Sequence, residues 1–142
     1  ITRAEAVALV VRALAGSDAP EARIDYRDLN DRHWAYRAVR QATAAGIVNG
    51  LPDGSFGPAR PVTRAEAAVM IGRALGLPPL AASNPPFADL KSGHWAAPMI
   101  NRLKAEGILN GSPGGLVRPD ERISRAEFAV LLVRALEKGR LS

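Results

Sequence analysis

Three arginines stand where chemistry is possible. They occupy the same place in Ile1-Thr2-Arg3-Ala4-Glu5, Val62-Thr63-Arg64-Ala65-Glu66 and Ile123-Ser124-Arg125-Ala126-Glu127, spaced 61 residues apart both times. Thr or Ser followed three residues later by Glu is a capping box: the hydroxyl accepts from the N3 amide, and the Glu reaches back to the cap's own N–H. Each arginine therefore falls on a first helical residue, where the helix dipole favours acids by roughly 0.3–1 kcal/mol at an exposed site. A locally unfavourable charge repeated three times implies a demand from elsewhere. Either the arginine, beside free N–H groups at a helix start, holds an anion, or it pairs with an acid from a neighbouring element.

The other reactive side chains are fewer. His33 and His94 recur once per unit without a Cys or an acidic cluster nearby, too thin for a metal site; a local hydrogen bond to Asp28 or Asp89, five residues earlier, is expected instead. Asp28 and Asp89 should cap a helix or tie down a loop. Asp53-Gly54 resembles a fragment of a calcium loop but lacks the alternating acids. No nucleophile elbow, metal-binding pair or repeated acid pair is present, so neither an enzyme nor a cofactor is expected.

The elements that must position these groups follow from periodicity. Thr2–Leu14, Thr63–Leu75 and Ser124–Leu136 read as capped amphipathic helices, each ending in Arg-Ala-Leu. Gly16, Gly76 with Pro78 and Pro79, and Gly139 read as their stops. Arg73 and Arg134 fall in the last turn, where cations suit the dipole. Before the second and third of these helices lies another. Trp34, Ala38, Val39 and Ala42 form its apolar stripe in one copy, and Trp95, Met99, Ile100 and Leu103 in the other. Pro98 sits in a first turn, where its missing N–H costs nothing. Gly46 and Gly107 should end these helices in the left-handed conformation, with Ile47 and Ile108 tucking back. Trp34 and Trp95 thus read first as core, although an indole is often buried on one side only; if buried, Trp95→Ala should cost ~3–5 kcal/mol. Polar loops rich in Gly and Pro, residues 49–58 and 110–119, join the two helices of each unit.

Placing Tyr26–Leu75 over Phe87–Leu136 gives 21 identities in 50 positions without a gap, so the chain is an internal repeat. The opening helix matches only the second half of a unit, and the chain holds two and a half repeats. We assign residues 1–16 as the second half of a first unit, 26–76 as a second and 87–139 as a third, forming one composite domain over 1–142. One helix pair cannot bury its apolar face alone, so the units must pack on one another, as a short solenoid or a closed pseudo-threefold bundle.

Composition sets the limits. The chain has 142 residues, 47% of them apolar, with a formal charge of +5 carried mostly by arginine and no cysteine. It is long enough for a real core, admits acidic partners and has no disulfide framework. No apolar run approaches the ~20 residues of a membrane span. No signal peptide is read in these residues, but an opening Ile1 in place of Met suggests a processed chain or a fragment, so this says nothing about targeting.

In order, Tyr26-Arg27-Asp28 or Phe87-Ala88-Asp89, His33-Trp34-Ala35 or His94-Trp95-Ala96, Gly46-Ile47-Val48-Asn49-Gly50 or Gly107-Ile108-Leu109-Asn110-Gly111, a Gly-Pro loop and the three Arg-bearing stretches resemble the S-layer homology (SLH) family. The likeness covers nearly the whole chain. It implies an all-α fold of tandem helix-loop-helix repeats packed as a pseudo-threefold bundle with grooves between motifs. It also implies a function: non-covalent anchoring of an exported or S-layer protein to a bacterial cell envelope. The implied partner is an anionic secondary cell-wall polysaccharide carrying pyruvate ketals, and the implied location is extracellular, in the cell wall or S-layer, beside other envelope subunits. Carried over by position, Arg3, Arg64 and Arg125 would clamp carboxylates. Trp34 and Trp95 would wall the grooves, and Asp28, Asp89, Gly50 and Gly111 would shape the loops. Arg64, next in the chain to the fullest loop, is expected to matter most. Gly114 for Asp53 and Val117 for Phe56 would weaken the last groove. Protein–protein docking through stacked repeats is an alternative. Helix-turn-helix nucleic-acid binding is a weaker one, because the basic residues are spread and not clustered on one recognition helix; no nucleic-acid partner is expected.

Overall fold

A computed structural model describes residues 1–81, 86–112 and 114–141. Pro113, within the second of the loops, and Ser142, in the composite range, lie outside the described residues. The architecture is all-α: α1 (Arg3–Val10), running into a π-helical turn (Val11–Ala15), α2 (Tyr36–Ala44), α3 (Arg64–Ala74), α4 (Ala97–Ala105) and α5 (Arg125–Leu141). Among the described residues there is no strand, only isolated antiparallel bridges such as Thr2–Pro61 and Thr63–Arg122.

All three capping boxes form. Glu5, Glu66 and Glu127 donate their N–H to Thr2, Thr63 and Ser124 hydroxyls at 3.2, 3.1 and 3.1 Å. Their carboxylates accept from the N–H of the same three caps at 3.0, 3.1 and 3.1 Å. Each box satisfies two amide groups that a bare helix start would leave unpaired. Gly46 and Gly107 end α2 and α4 at φ of 74° and 77°, the left-handed geometry that costs glycine least. Ile47 and Ile108 then fold back and are buried.

Two helix ends differ from expectation. The first helix does not run regularly to Leu14: Gly16 donates to Val11, five residues back, at 2.9 Å, which widens the last turn. Gly139 does not stop α5, which continues to Leu141; a glycine within a helix costs only about 1 kcal/mol and is not an obligatory terminator.

Packing repeats with the sequence. The first helix of each full unit lies on the second helix of the unit before, α2 on α1 and α4 on α3. Gly72 lets α4 approach, since a Cβ there would meet the Met99 sulfur at 2.3 Å. Phe56, Phe128, Ile71, Ile100, Leu103 and Ile108 are among the largest fully buried side chains. The matching face of α5 is open: Val130 and Val133 are 46% and 52% exposed, whereas Val69 and Val11, at equivalent positions of α3 and the α1 extension, are 8% and 4% exposed.

Candidate functional site

Arg3 and Arg64 each reach forward into the next unit. Arg3 donates from Nε to the Phe56 carbonyl at 2.9 Å, from Nη2 to the Asn49 carbonyl at 3.1 Å, and from Nη1 to Glu66 Oε2 at 3.3 Å. Its guanidinium lies 4.7 Å from the centre of the Phe56 ring, and the residue is only 7% exposed. Burial pulls its pKa below the ordinary arginine value, against the opposing pull of Glu66; it remains a cation at any physiological pH. Arg64 repeats this one unit later, donating to the Val117 carbonyl at 2.7 Å and pairing with Glu127. Arg125 pairs with Glu5 but is two-thirds exposed.

The pairs Arg3–Glu66, Arg64–Glu127 and Arg125–Glu5 form a cycle over the three stretches. Every Glu uses Oε1 for its own cap and Oε2 for the arginine of another stretch. The awkward positive charge at each helix start is thereby matched by an acid that already belongs to a helix start. Glu5 is held down to about 2, first by the Thr2 N–H and then by Arg125. Burial pushes Glu127 up, but Ser124 and Arg64 outweigh it and lower it overall.

The loop partner of each arginine differs from the sequence expectation. The loop that precedes Arg64 in the chain wraps Arg3, and the loop with Gly114 and Val117 wraps Arg64. The weakened loop thus serves Arg64 and not Arg125, and the fullest surroundings belong to Arg3. The cause is the forward reach of one unit, which adjacency in sequence cannot reveal.

Asp28 accepts from the Phe56 and Gly57 N–H groups at 2.8 and 2.9 Å, and Asp89 from Val117 and Arg118 at 2.9 and 2.8 Å. Burial raises both carboxyls, yet these bonds hold them below the ordinary aspartate value. They fix the loop segments that present carbonyls to Arg3 and Arg64. Gly50 and Gly111 are required by contact: a Cβ would meet the Tyr26 ring at 2.3 Å and the Phe87 ring at 2.4 Å respectively.

The histidines do not bond to Asp28 or Asp89. His33 and His94 accept on Nδ1 from the Ala35 and Ala96 N–H groups at 3.0 Å, and His94 Nε2 meets Asp120 at 2.9 Å. The aspartates are already engaged by the loop. Trp34 and Trp95 are not core residues either: they are 65% and 61% exposed, each stacked on its preceding histidine. Both lie two residues ahead of their helix, so they do not share its apolar stripe.

These parts enclose three clefts. The first, of about 250 Å³, is walled by Arg3, the 47–51 loop segment, Glu66, Arg73 and Trp95. A second, of about 200 Å³, has Arg64, Leu109–Gly111, Glu127 and Arg134 but no tryptophan. A third, of about 470 Å³, has Trp34, Arg12, Ser17 and Gln41 but no glycine loop. The sequence candidates Arg3, Gly50 and Trp95 come together in one cleft. Arg64 and Gly111 meet in another, Trp34 stands apart from Arg125, and Asp28 and Asp89 act behind the loops. Arg12, Arg73 and Arg134 also line these clefts, which the sequence reading did not anticipate although they recur in Arg-Ala-Leu. No cluster of three potential metal ligands occurs among the described residues.

The profile of the S-layer homology domain matches residues 25–68 and 86–129. The chain belongs to the S-layer homology family. Its whole length is similar to part of "Cell surface glycoprotein 1" of Acetivibrio thermocellus, at 37% identity over 7% of that protein. It is equally similar to the "Cellulosome-anchoring protein" of the same organism, at 38% identity over 33% of its length. The "S-layer protein sap" of Bacillus anthracis is 34% identical over 78% of this chain and 13% of that protein. The chain thus spans a third or less of these curated relatives. Family and relatives together make this SLH module a bacterial, extracellular, cell-wall-associated anchoring unit. None of its described helices is long and apolar enough to cross a membrane.

Proposed function

We propose that this SLH module anchors its parent protein by binding an anionic, pyruvylated secondary cell-wall polysaccharide in the clefts between units. The supporting observation is the first cleft, where cations, a rigid glycine loop and an exposed indole face the same space. A pyruvate ketal presents a carboxylate on a sugar ring, which asks for a guanidinium beside an aromatic wall. Asp28 and Gly50 hold that loop in shape, and Asp89 and Gly111 do the same in the second cleft. The three helix starts further read as a pseudo-threefold ring, closed by Arg125–Glu5, with Arg3 and Arg64 as its buried members and Arg125 as its open one.

The test is co-sedimentation with purified cell-wall sacculi, native, depyruvylated, or stripped of the whole secondary polymer. Binding should fall on depyruvylation and vanish with the polymer. Binding unchanged by both treatments would defeat the reading.

A further inference from the structure

Resting on the anchoring reading, we propose that the anionic group is gripped by the arginine of Arg-Ala-Leu, Arg73 in the first cleft, while Arg3 shapes and charges the cleft from behind. The argument begins with donors. A guanidinium carries five N–H groups on three nitrogens, and in Arg3 each nitrogen already donates: to Phe56, Asn49 and Glu66 at 2.9, 3.1 and 3.3 Å. One face is covered by the Phe56 ring. Three of its five N–H groups are thus spent within the protein, and a carboxylate that took the Nε/Nη edge would have to displace a backbone carbonyl or Glu66, leaving a part-buried acceptor unpaired. The charge of Arg3 is also matched within the cleft by Glu66.

Arg73 differs on each count. It lines the same cleft, it is exposed, and among the described residues its guanidinium has neither a hydrogen bond nor an ion pair. Its charge is the uncompensated one in a space shared with Gly50 and Trp95. The helix dipole welcomes a cation in the last turn of α3, but lysine would satisfy a dipole equally. The type is arginine all three times, and only arginine offers a planar fork to a carboxylate. The equivalents agree in position: Arg12 lines the cleft with Trp34, and Arg134 the cleft with Arg64. Arg134 is partly engaged, donating to the Ile108 carbonyl at 3.3 Å, so the first cleft holds the freest clamp beside the fullest loop.

The test is calorimetric titration of the chain with solubilised wall-polymer fragments carrying pyruvyl ketals, and with the same fragments after mild acid removes them. Arg73→Ala should lose at least tenfold in affinity for the pyruvylated fragments with an unchanged urea midpoint. Arg73→Lys should recover only part of it. Wild-type protein that binds while Arg73→Ala binds within twofold overturns this assignment alone. Wild-type protein that ignores the pyruvyl group overturns the pyruvylated-ligand reading, and this assignment with it.

Discussion

The first and second clefts are built from the same motif one repeat apart, and they are not equally finished. In the first, Arg3 is seated on the Phe56 ring, and its side chain and that of Glu66 are 8% and 19% exposed. In the second, Val117 replaces the ring, and Arg64 and Glu127 are 11% and 39% exposed. At the third junction Arg125 and Glu5 are 68% and 27% exposed, and among the described hydrogen bonds Arg125 reaches no backbone carbonyl. The same four residues therefore form a buried strut, a half-covered strut and a surface ion pair, according to what the next unit brings. Motif identity sets the pairing; the loop packed against it sets the strength.

That ordering gives the largest expected effect. Arg3→Ala leaves Glu66 and two loop carbonyls unpaired in a dry setting and should destabilise by about 3–5 kcal/mol. Arg64→Ala, with a partner more open to water, should cost about 2 kcal/mol, and Arg125→Ala less than about 1 kcal/mol. Urea denaturation of the three variants measures the series. Equal losses would mean that the loops contribute nothing and the ion pairs alone matter.

The local parts of this arrangement were legible in the chain. Capping boxes, the glycine ends of α2 and α4, and Pro98 in a first turn depend on residues within four positions of one another, and the structure keeps them all. The 61-residue repeat announced equivalent sites. The partners of those sites were not legible, because Arg3 finds its loop carbonyls 46 and 53 residues ahead. Helical periodicity also misplaced Trp34 and Trp95. Continuing the stripe two residues upstream assumes that the helix extends there, and the His-capped turn rotates the indole outward.

Trp95 sharpens the comparison from the ligand's side, since the second cleft has no counterpart to it. With 61% of its surface exposed, Trp95→Ala should now cost about 1 kcal/mol or less in stability, not the larger loss expected of a core indole. Polymer affinity should fall roughly fivefold, the scale of one aromatic contact. The two readouts, urea midpoint and titration, must separate. A large midpoint shift with unchanged affinity would return the indole to a packing role.

The smallest effect tests the open junction. Glu5 has its folded-state pKa held near 2, against an ordinary value of 4.5, by the Thr2 N–H and Arg125. A depressed carboxyl stabilises the fold above its unfolded pKa and loses that contribution as pH falls towards the folded value. Wild-type protein should therefore lose stability relative to Glu5→Gln between about pH 5 and pH 2, the two converging at the acid end. Because the carboxyl is in contact with water, added salt should shrink the part owed to Arg125 and leave the part owed to the Thr2 cap. Arg125→Ala should abolish the salt-sensitive part. If instead Arg125→Ala leaves both the acid profile and its salt dependence as in the wild type, the cycle of pairs is open at this junction, and the first cleft is held by Arg3 and Arg64 without it.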